Sequence, residues 1–201
     1  NDRLRQLFDH GFVRRYYHPA SPYGAQAIYM TDNASVPIVA TELGIDAAEV
    51  RRQCGAKTPG FLEHTLEIVT FYLNIRRACA GDARISLDLW LPESQCRHEY
   101  HMARGQQGWH KEVFKPDAFV RLALQPGDQY RNYFVEIDLG HTSTRQFLAK
   151  LTGHSRYLQS GLFEDRFGCE QFNTLVVTTG KIRLRNLLSL VQGQRNGLFW
   201  F

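Results

Sequence analysis

Two stretches decide the fold: VFKPDAFVRLAL at residues 113–124 and YRNYFVEIDL at residues 130–139. Both are rich in β-branched and aromatic residues, which favour strands, and the core of the second alternates in the way a strand does. Lys115-Pro116-Asp117 interrupts the first stretch, because proline cannot donate to a sheet ladder. The short connection between the stretches predicts two neighbouring strands joined by a hairpin.

Outward from this pair, helical and strand patterns alternate along residues 61–201. Helices are predicted at Phe61–Ala80, Thr142–Tyr157 and Ile182–Val191, strands at Ser86–Leu91, Phe172–Thr179 and Leu198–Phe201, and either a strand or a short helix at Gln95–Ala103. This order predicts an α/β domain, a mixed sheet flanked by helices.

The first 45 residues have a different organisation. They predict a short helix at Asp2–His10, a glycine stop, a strand at Phe12–Tyr17, a turn at His18–Ala25 and a second strand at Gln26–Met30. Helix, strand, tip and strand in this order are typical of the C-terminal half of a winged helix-turn-helix, whose other helices would precede residue 1. Residues 46–60 are predicted to be the linker to the α/β domain.

The composition excludes disordered, collagen-like and coiled-coil proteins. The chain has 201 residues, 43% apolar and 22% charged, which is ordinary for a globular protein with a real core. No apolar run is long enough to span a membrane. Four cysteines without a Cys-x-x-Cys pair suggest reduced thiols and a cytoplasmic location. Arginines make up 24 − 5 = 19 of the basic residues, which modestly favours phosphate contacts within a net charge of +4.

Three carboxylates form the sharpest chemical pattern. Glu136 and Asp138 lie two apart on a predicted strand and so share one face, and Asp117 lies one hairpin away. Carboxylates gathered this closely repel each other unless they share a cation, and such clusters suit Mg²⁺ or Mn²⁺. Lys150 on the following helix could stabilise developing charge. The simpler alternative is a Pro-Asp turn beside an exposed strand face paired with arginines.

At these residues the sequence resembles the PD-(D/E)xK nuclease superfamily, which has the restriction-endonuclease-like fold. Pro116-Asp117 and Glu136 match its motif, whereas Asp138 stands where the motif has lysine, a residue that some branches supply from the next helix. The resemblance implies Asp117, Glu136, Lys150 and an acidic residue of the first helix, Glu67 or Glu63, as catalytic residues. It implies Asp117, Glu136 and Asp138 as ligands of the metal.

A narrower resemblance covers nearly the whole chain. The motifs are Arg-Leu-x-x-Leu-x-x-x-Gly-Phe-Val from Arg3, His-Thr-Leu from His64, Pro-Asp-Ala from Pro116 and Glu-Ile-Asp-x-Gly from Glu136. Together they resemble the replication-relaxation family, which is associated with bacterial plasmids and mobile elements. The resemblance implies a DNA-binding protein of plasmid replication or relaxation, with a possible metal-dependent endonuclease activity. The alternative is an inactive nuclease-like protein that binds DNA or recruits a partner.

The basic residues of the first module predict the contact with DNA. Arg3 and Arg5 lie on the predicted helix, and Arg14 and Arg15 lie on the first strand of the wing. A recognition helix would enter the major groove of double-stranded DNA while the wing contacts neighbouring phosphates. The alternative is a wing that serves dimerisation, so a homodimer or a replication or mobilisation protein remains a possible partner.

Overall fold

The computed structural model describes residues 2–17, 27–54, 59–103, 108–127, 129–192 and 197–201, with the backbone alone at 53–54 and 59–60. The chain divides into two compact units, Asn1–Glu63 and His64–Phe201. Within the described ranges, no helix has the length and apolar character needed to cross a bilayer.

The first unit begins with a helix and a two-stranded sheet. Helix α1 (Asp2–Asp9) is followed by strand β1 (Val13–Tyr17), which pairs antiparallel with β2 (Ala27–Thr31). A single 3-10 turn then leads into α2 (Val36–Leu43) and α3 (Ala47–Cys54). The helix–strand–strand order follows the prediction, and the predicted tip at 18–25 lies outside the described residues. The predicted linker at 46–60 contains α3.

Helix α2 was not predicted, although the sequence of this segment includes Pro37. Pro37 occupies the first turn of the helix, after the N-cap residue Ser35. The first amides of a helix have no intrahelical partner, so a proline there costs no hydrogen bond. Gly44 ends the helix in the left-handed conformation, with φ of 63°.

The second unit is built on a five-stranded mixed sheet. After α4 (Pro59–Gly81), which begins in the first unit, come β3 (Ile85–Pro92), α5 (Glu93–Cys96), β4 (His98–Ala103), β5 (Trp109–Phe114), β6 (Ala118–Leu124), β7 (Gln129–Asp138), α6 (Thr144–Gln159), α7 (Leu162–Phe167), β8 (Asn173–Thr178), α8 (Lys181–Val191) and β9 (Phe199–Trp200). The sheet order is β3-β6-β7-β8-β9, antiparallel as far as β7 and parallel from there to β9. The predicted α/β class, a mixed sheet with flanking helices, is confirmed.

The stretch 113–124 is not one interrupted strand. Its two halves, β5 and β6, belong to different sheets, since β5 pairs with β4 in a separate hairpin and β6 lies between β3 and β7. Lys115-Pro116-Asp117 is the crossing between the sheets. The ambiguous segment 95–103 contains both predicted alternatives, the end of α5 and the strand β4. Helix α7 was not predicted.

Alternation along the central strands divides the side chains between two layers. Ala118 and Val120 of β6 and Val135 and Ile137 of β7 pack with residues of α4, including Phe71. On the opposite face, side chains of α6 and α8 pack together with β8. Alternate residues of β7, including Glu136 and Asp138, therefore face α6 and α8.

Candidate active site

Asp117 lies at the end of the β6–β7 pair, where the Ile137 amide and His64 hold its side chain. Its backbone N–H donates to Val135 O, which continues the sheet ladder, and its Oδ2 accepts the backbone N–H of Ile137 at 2.7 Å. His64 Nε2 of α4 lies 3.3 Å from the same oxygen and 3.1 Å from the Ile137 carbonyl oxygen. The other oxygen of this buried carboxylate, Oδ1, makes none of these contacts and is directed away from His64, toward Lys150.

Glu136 is fixed in a similar way from the interior. Its side chain is 4% exposed, and Oε1 lies 2.8 Å from Nε2 of the buried His154 on α6. A carboxylate only accepts hydrogen bonds, so Nε2 carries the proton. The other ring nitrogen, Nδ1, lies 2.9 Å from the Thr174 hydroxyl, within hydrogen-bond distance. Phe114 and Phe134 pack edge-on against the ring and hold its plane.

Lys150 joins the two carboxylates. Its ammonium lies 2.5 Å from Glu136 Oε2 and 3.9 Å from Asp117 Oδ1, and its side chain is 40% exposed. Each carboxylate therefore has one oxygen bound by the interior and the other directed at the same cation. Burial lowers the pKa of Lys150, but the charges of Glu136 and Asp117 outweigh it and hold that pKa above its ordinary value.

Asp117 and His64 each shift the pKa of the other in the direction that favours its charged form. Burial raises the pKa of the Asp117 carboxyl, but the hydrogen bond from His64 and the charges of Lys150 and His64 outweigh it, so its pKa is lowered. The hydrogen bond to Asp117 raises the pKa of His64 despite partial burial. Asp117 is consequently held as a carboxylate.

Asp138, the third predicted metal ligand, is bound elsewhere. Arg183 of α8 contacts both of its oxygens, with Nε 2.7 Å from Oδ2 and a terminal nitrogen 2.9 Å from Oδ1. Thr178 also donates to Oδ2, and the guanidinium reaches the Thr142 carbonyl oxygen. Burial raises the pKa of Asp138, but the Arg183 and Thr178 hydrogen bonds outweigh it and lower that pKa. The simpler alternative is therefore right about an arginine partner for Asp138, but the strand face is buried rather than exposed.

Glu67, the other predicted catalytic residue, lies exposed on α4, one turn after His64. It makes none of the hydrogen bonds or ion pairs that join Asp117, Glu136 and Lys150. The structure thus brings together three of the predicted site residues and leaves Asp138 and Glu67 outside that group.

The carboxylate pair fits part of the predicted metal site. Across the described ranges, no group of three His, Cys, Asp or Glu side chains is arranged to hold a metal ion. Asp117 and Glu136 nevertheless each direct one hard oxygen donor toward the same region, where the Lys150 ammonium lies. Mg²⁺ is commonly held by one or two carboxylates, with waters and substrate phosphates completing its coordination. The donor set therefore suits a divalent cation held by these two residues.

In the first unit, the four predicted DNA-binding arginines do not share one surface. Arg3 and Arg5 are exposed on α1, where Arg5 lies 3.8 Å from Asp9. Arg15 is exposed on β1 and packs over the rings of Phe8 and Tyr17. Arg14 points to the other face of the strand, half-buried, and its Nε is buried without a hydrogen-bond partner.

Comparison with protein-family models identifies the family of the chain. The family model described as Replication-relaxation matches residues 1–171, which is most of the chain. The chain belongs to the replication-relaxation family. Membership implies a role in plasmid replication and relaxation. No curated protein and no solved structure matches the chain significantly.

In this replication-relaxation protein, sequence reasoning missed the residues behind the carboxylates. His154 lies four residues after Lys150, so the two side chains share one face of α6, and this spacing is the signal that could have found it. Thr174 carries no such signal, because β8 is parallel to β7 and its register follows from the tertiary fold. His64, which the sequence analysis names only as the start of a motif, lies beside Asp117, with Nε2 3.3 Å from Oδ2.

Proposed function

We propose that the second unit is a divalent-metal-dependent DNA endonuclease site of the PD-(D/E)xK type, acting in plasmid or mobile-element replication and relaxation. One observation carries this proposal: two buried carboxylates each present one oxygen to a shared ammonium. The proposal implies a cytoplasmic protein associated with plasmid or nucleoid DNA. It also implies a restriction-endonuclease-like fold preceded by part of a winged helix.

The chain's own residues would divide the work as follows. His64 and the Ile137 amide hold Asp117, and His154 holds Glu136, so neither carboxylate needs to reorganise during the reaction. Lys150, charged and partly exposed, would neutralise charge that builds on the phosphate oxygens. A Mg²⁺ or Mn²⁺ ion held by Asp117 and Glu136 would supply an activated water and further charge neutralisation.

Double-stranded DNA is the proposed substrate of the whole chain. Arg3, Arg5 and Arg15 are exposed in the first unit, and guanidinium groups bind phosphates with two parallel hydrogen bonds. These contacts would hold DNA without regard to its sequence, since phosphate contacts position a protein rather than specify bases. We assign Arg14 a lesser part, because it lies half-buried on the other face of β1.

The test is a nicking assay on supercoiled plasmid with Mg²⁺ or Mn²⁺. Asp117→Asn and Lys150→Met should reduce nicking by about 10²-fold or more, the loss typical when a group that stabilises transition-state charge is removed. Asp165→Asn is the matched control, since it makes the same change at an exposed carboxylate of α7. EDTA should abolish the activity. Nicking that survives Asp117→Asn would overturn this mechanism.

A second candidate, an inactive nuclease-like protein that binds DNA or recruits a partner, has its own supporting observation. Asp138 stands at the motif's lysine position and is neutralised by Arg183, so the strand supplies no cation there. Parent protein that binds plasmid DNA, yet never nicks it with either metal, would favour this candidate. A homodimer or a replication protein would then be the partner to seek.

A further inference from the structure

A cavity of about 360 Å³ lies beside the carboxylate pair. Its walls come from the end of β5, from one face of α6 and from Glu136, and Lys150 lines it as well. Pockets of about 300 to 1,000 Å³ with mostly apolar walls and a few polar groups are typical of ligand sites. Whatever occupies this cavity lies next to Glu136 and Lys150.

Gly153 on the α6 wall of this cavity has no explanation within the fold. It lies in the middle of a 16-residue helix, where glycine is less favourable than alanine. A Cβ added there would meet no atom within 4 Å, so packing does not require glycine. A missing side chain does let a ligand approach the helix backbone closely. The cavity therefore gains its depth at this position from an otherwise unfavourable residue.

The walls of the cavity indicate the class of ligand. Val113, Phe114 and Ala149 provide apolar surface, whereas Lys115 and Lys150 provide cations. Glu136 also lines the cavity, but its charge is paired with Lys150. Lys115 is half-exposed and pairs with Glu93 at 3.0 Å. A free inorganic anion would gain nothing from the apolar surface, and a purely apolar ligand would gain nothing from the lysines. A nucleotide has both parts, a flat apolar base and an anionic phosphate.

We infer that this cavity binds one nucleotide of the DNA strand, with its base against the α6 wall at Gly153 and its phosphate toward Lys150. The identity of the polymer rests on the proposed function, but binding itself needs no hydrolysis. The nucleotide beside the cleaved bond would thus be held out of its stack, as enzymes that bind a single unstacked nucleotide do.

The experiment fills the cavity without touching the carboxylates. Thymidine 3′,5′-bisphosphate is titrated into the full chain in EDTA, and the amide signals of α6 are followed by NMR. Gly153→Leu should raise the dissociation constant about tenfold or more, and Gly153→Ala should raise it less. Both variants should melt no lower than the parent, because each replaces a mid-helix glycine. Thr152→Leu is the matched control, since it places the same leucine side chain at an exposed neighbour on the same helix.

Inorganic phosphate is titrated in parallel, to separate the contribution of the base. It should bind more weakly than the bisphosphate and be insensitive to Gly153→Leu. Equal affinity of Gly153→Leu and parent for the bisphosphate would overturn the inference, as would the absence of saturable shifts in the parent. The proposed function fails separately: nicking that survives Asp117→Asn would refute the hydrolytic site even if Gly153→Leu still weakened nucleotide binding.

Discussion

The ion pair between Asp138 and Arg183 allows a sharp test of whether Asp138 is structural. Arg183→Met removes the cation and leaves a carboxylate that is 4% exposed with Thr178 as its remaining side-chain donor. Breaking a buried pair in this way costs about 3 to 5 kcal/mol. The Arg183 side chain is 21% exposed, so water screens part of the interaction. We therefore expect the lower end, about 3 kcal/mol.

The assay is thermal and urea unfolding followed by circular dichroism. A loss of about 3 kcal/mol should lower the melting temperature by about 6 to 12 °C in a chain of this size. Arg185→Met, on the exposed side of the same helix, is the control and should change stability by less than about 0.5 kcal/mol. The double variant Asp138→Asn/Arg183→Met should recover much of the loss, since it leaves no unpaired charge.

The pH dependence of the same variants gives a second measurement. The pKa of Asp138 is lowered in the folded parent, so its contribution is fully present above the unfolded value of about 3.9 and is lost as pH falls through the folded value. The difference between parent and Arg183→Met should therefore be large at pH 7 and shrink as pH falls toward about 3. A loss no greater than that of Arg185→Met, or one equally large at both pH values, would refute the reasoning.

Three further predictions concern the site and the first unit. Thr174→Val removes the buried hydroxyl that is hydrogen-bonded to His154 and should cost about 1 to 3 kcal/mol in urea unfolding, and a neutral effect would mean that the hydroxyl does not fix the ring. The pKa of His64, measured by NMR, should lie above its ordinary value of about 6.5. Asp117→Asn should lower that pKa, because the charge of Asp117 no longer offsets the burial of the imidazole. An unchanged pKa in the variant would contradict the contact between His64 and Asp117. Arg15→Glu should weaken DNA binding and reduce its salt dependence by about one phosphate contact, and unchanged binding would assign the wing another role.

Local patterns in the sequence predicted the elements of the sheet, and the resemblance indicated Lys150, but neither predicted the histidine partners of Asp117 and Glu136 or the pairing of Asp138 with Arg183. The period of two along β7 correctly gave Glu136 and Asp138 a common face. Glu136 then meets Lys150, 14 residues away, whereas Asp138 meets Arg183, 45 residues away on a helix that packs beside a later strand. No local signal in the sequence indicates that Glu136 pairs with a lysine that also contacts Asp117, whereas Asp138 pairs with an arginine of its own. The partner of each carboxylate depends on how α6 and α8 pack on this face of the sheet.

The break at Pro116 shows a similar limit. Proline predicted an interruption in a strand, and an interruption is present. That the two halves join different sheets depends on β4, which pairs with β5 in full register from His98 to Ala103. This change of sheet positions a site residue, because the segment that crosses between the sheets brings Asp117 to the end of β7, beside Glu136.

The energetics of the carboxylate pair favour a functional reason for its presence. Burying charges costs several kcal/mol per ion, and replacing buried ion pairs with apolar residues is often neutral or stabilising. A core selected for stability alone would therefore have little use for two carboxylates that are 4% and 5% exposed. Here each is held by a histidine of a different helix and faces one partly exposed lysine. Such an arrangement keeps two negative charges ready at one accessible point, which is what a site for a cation and a phosphate requires.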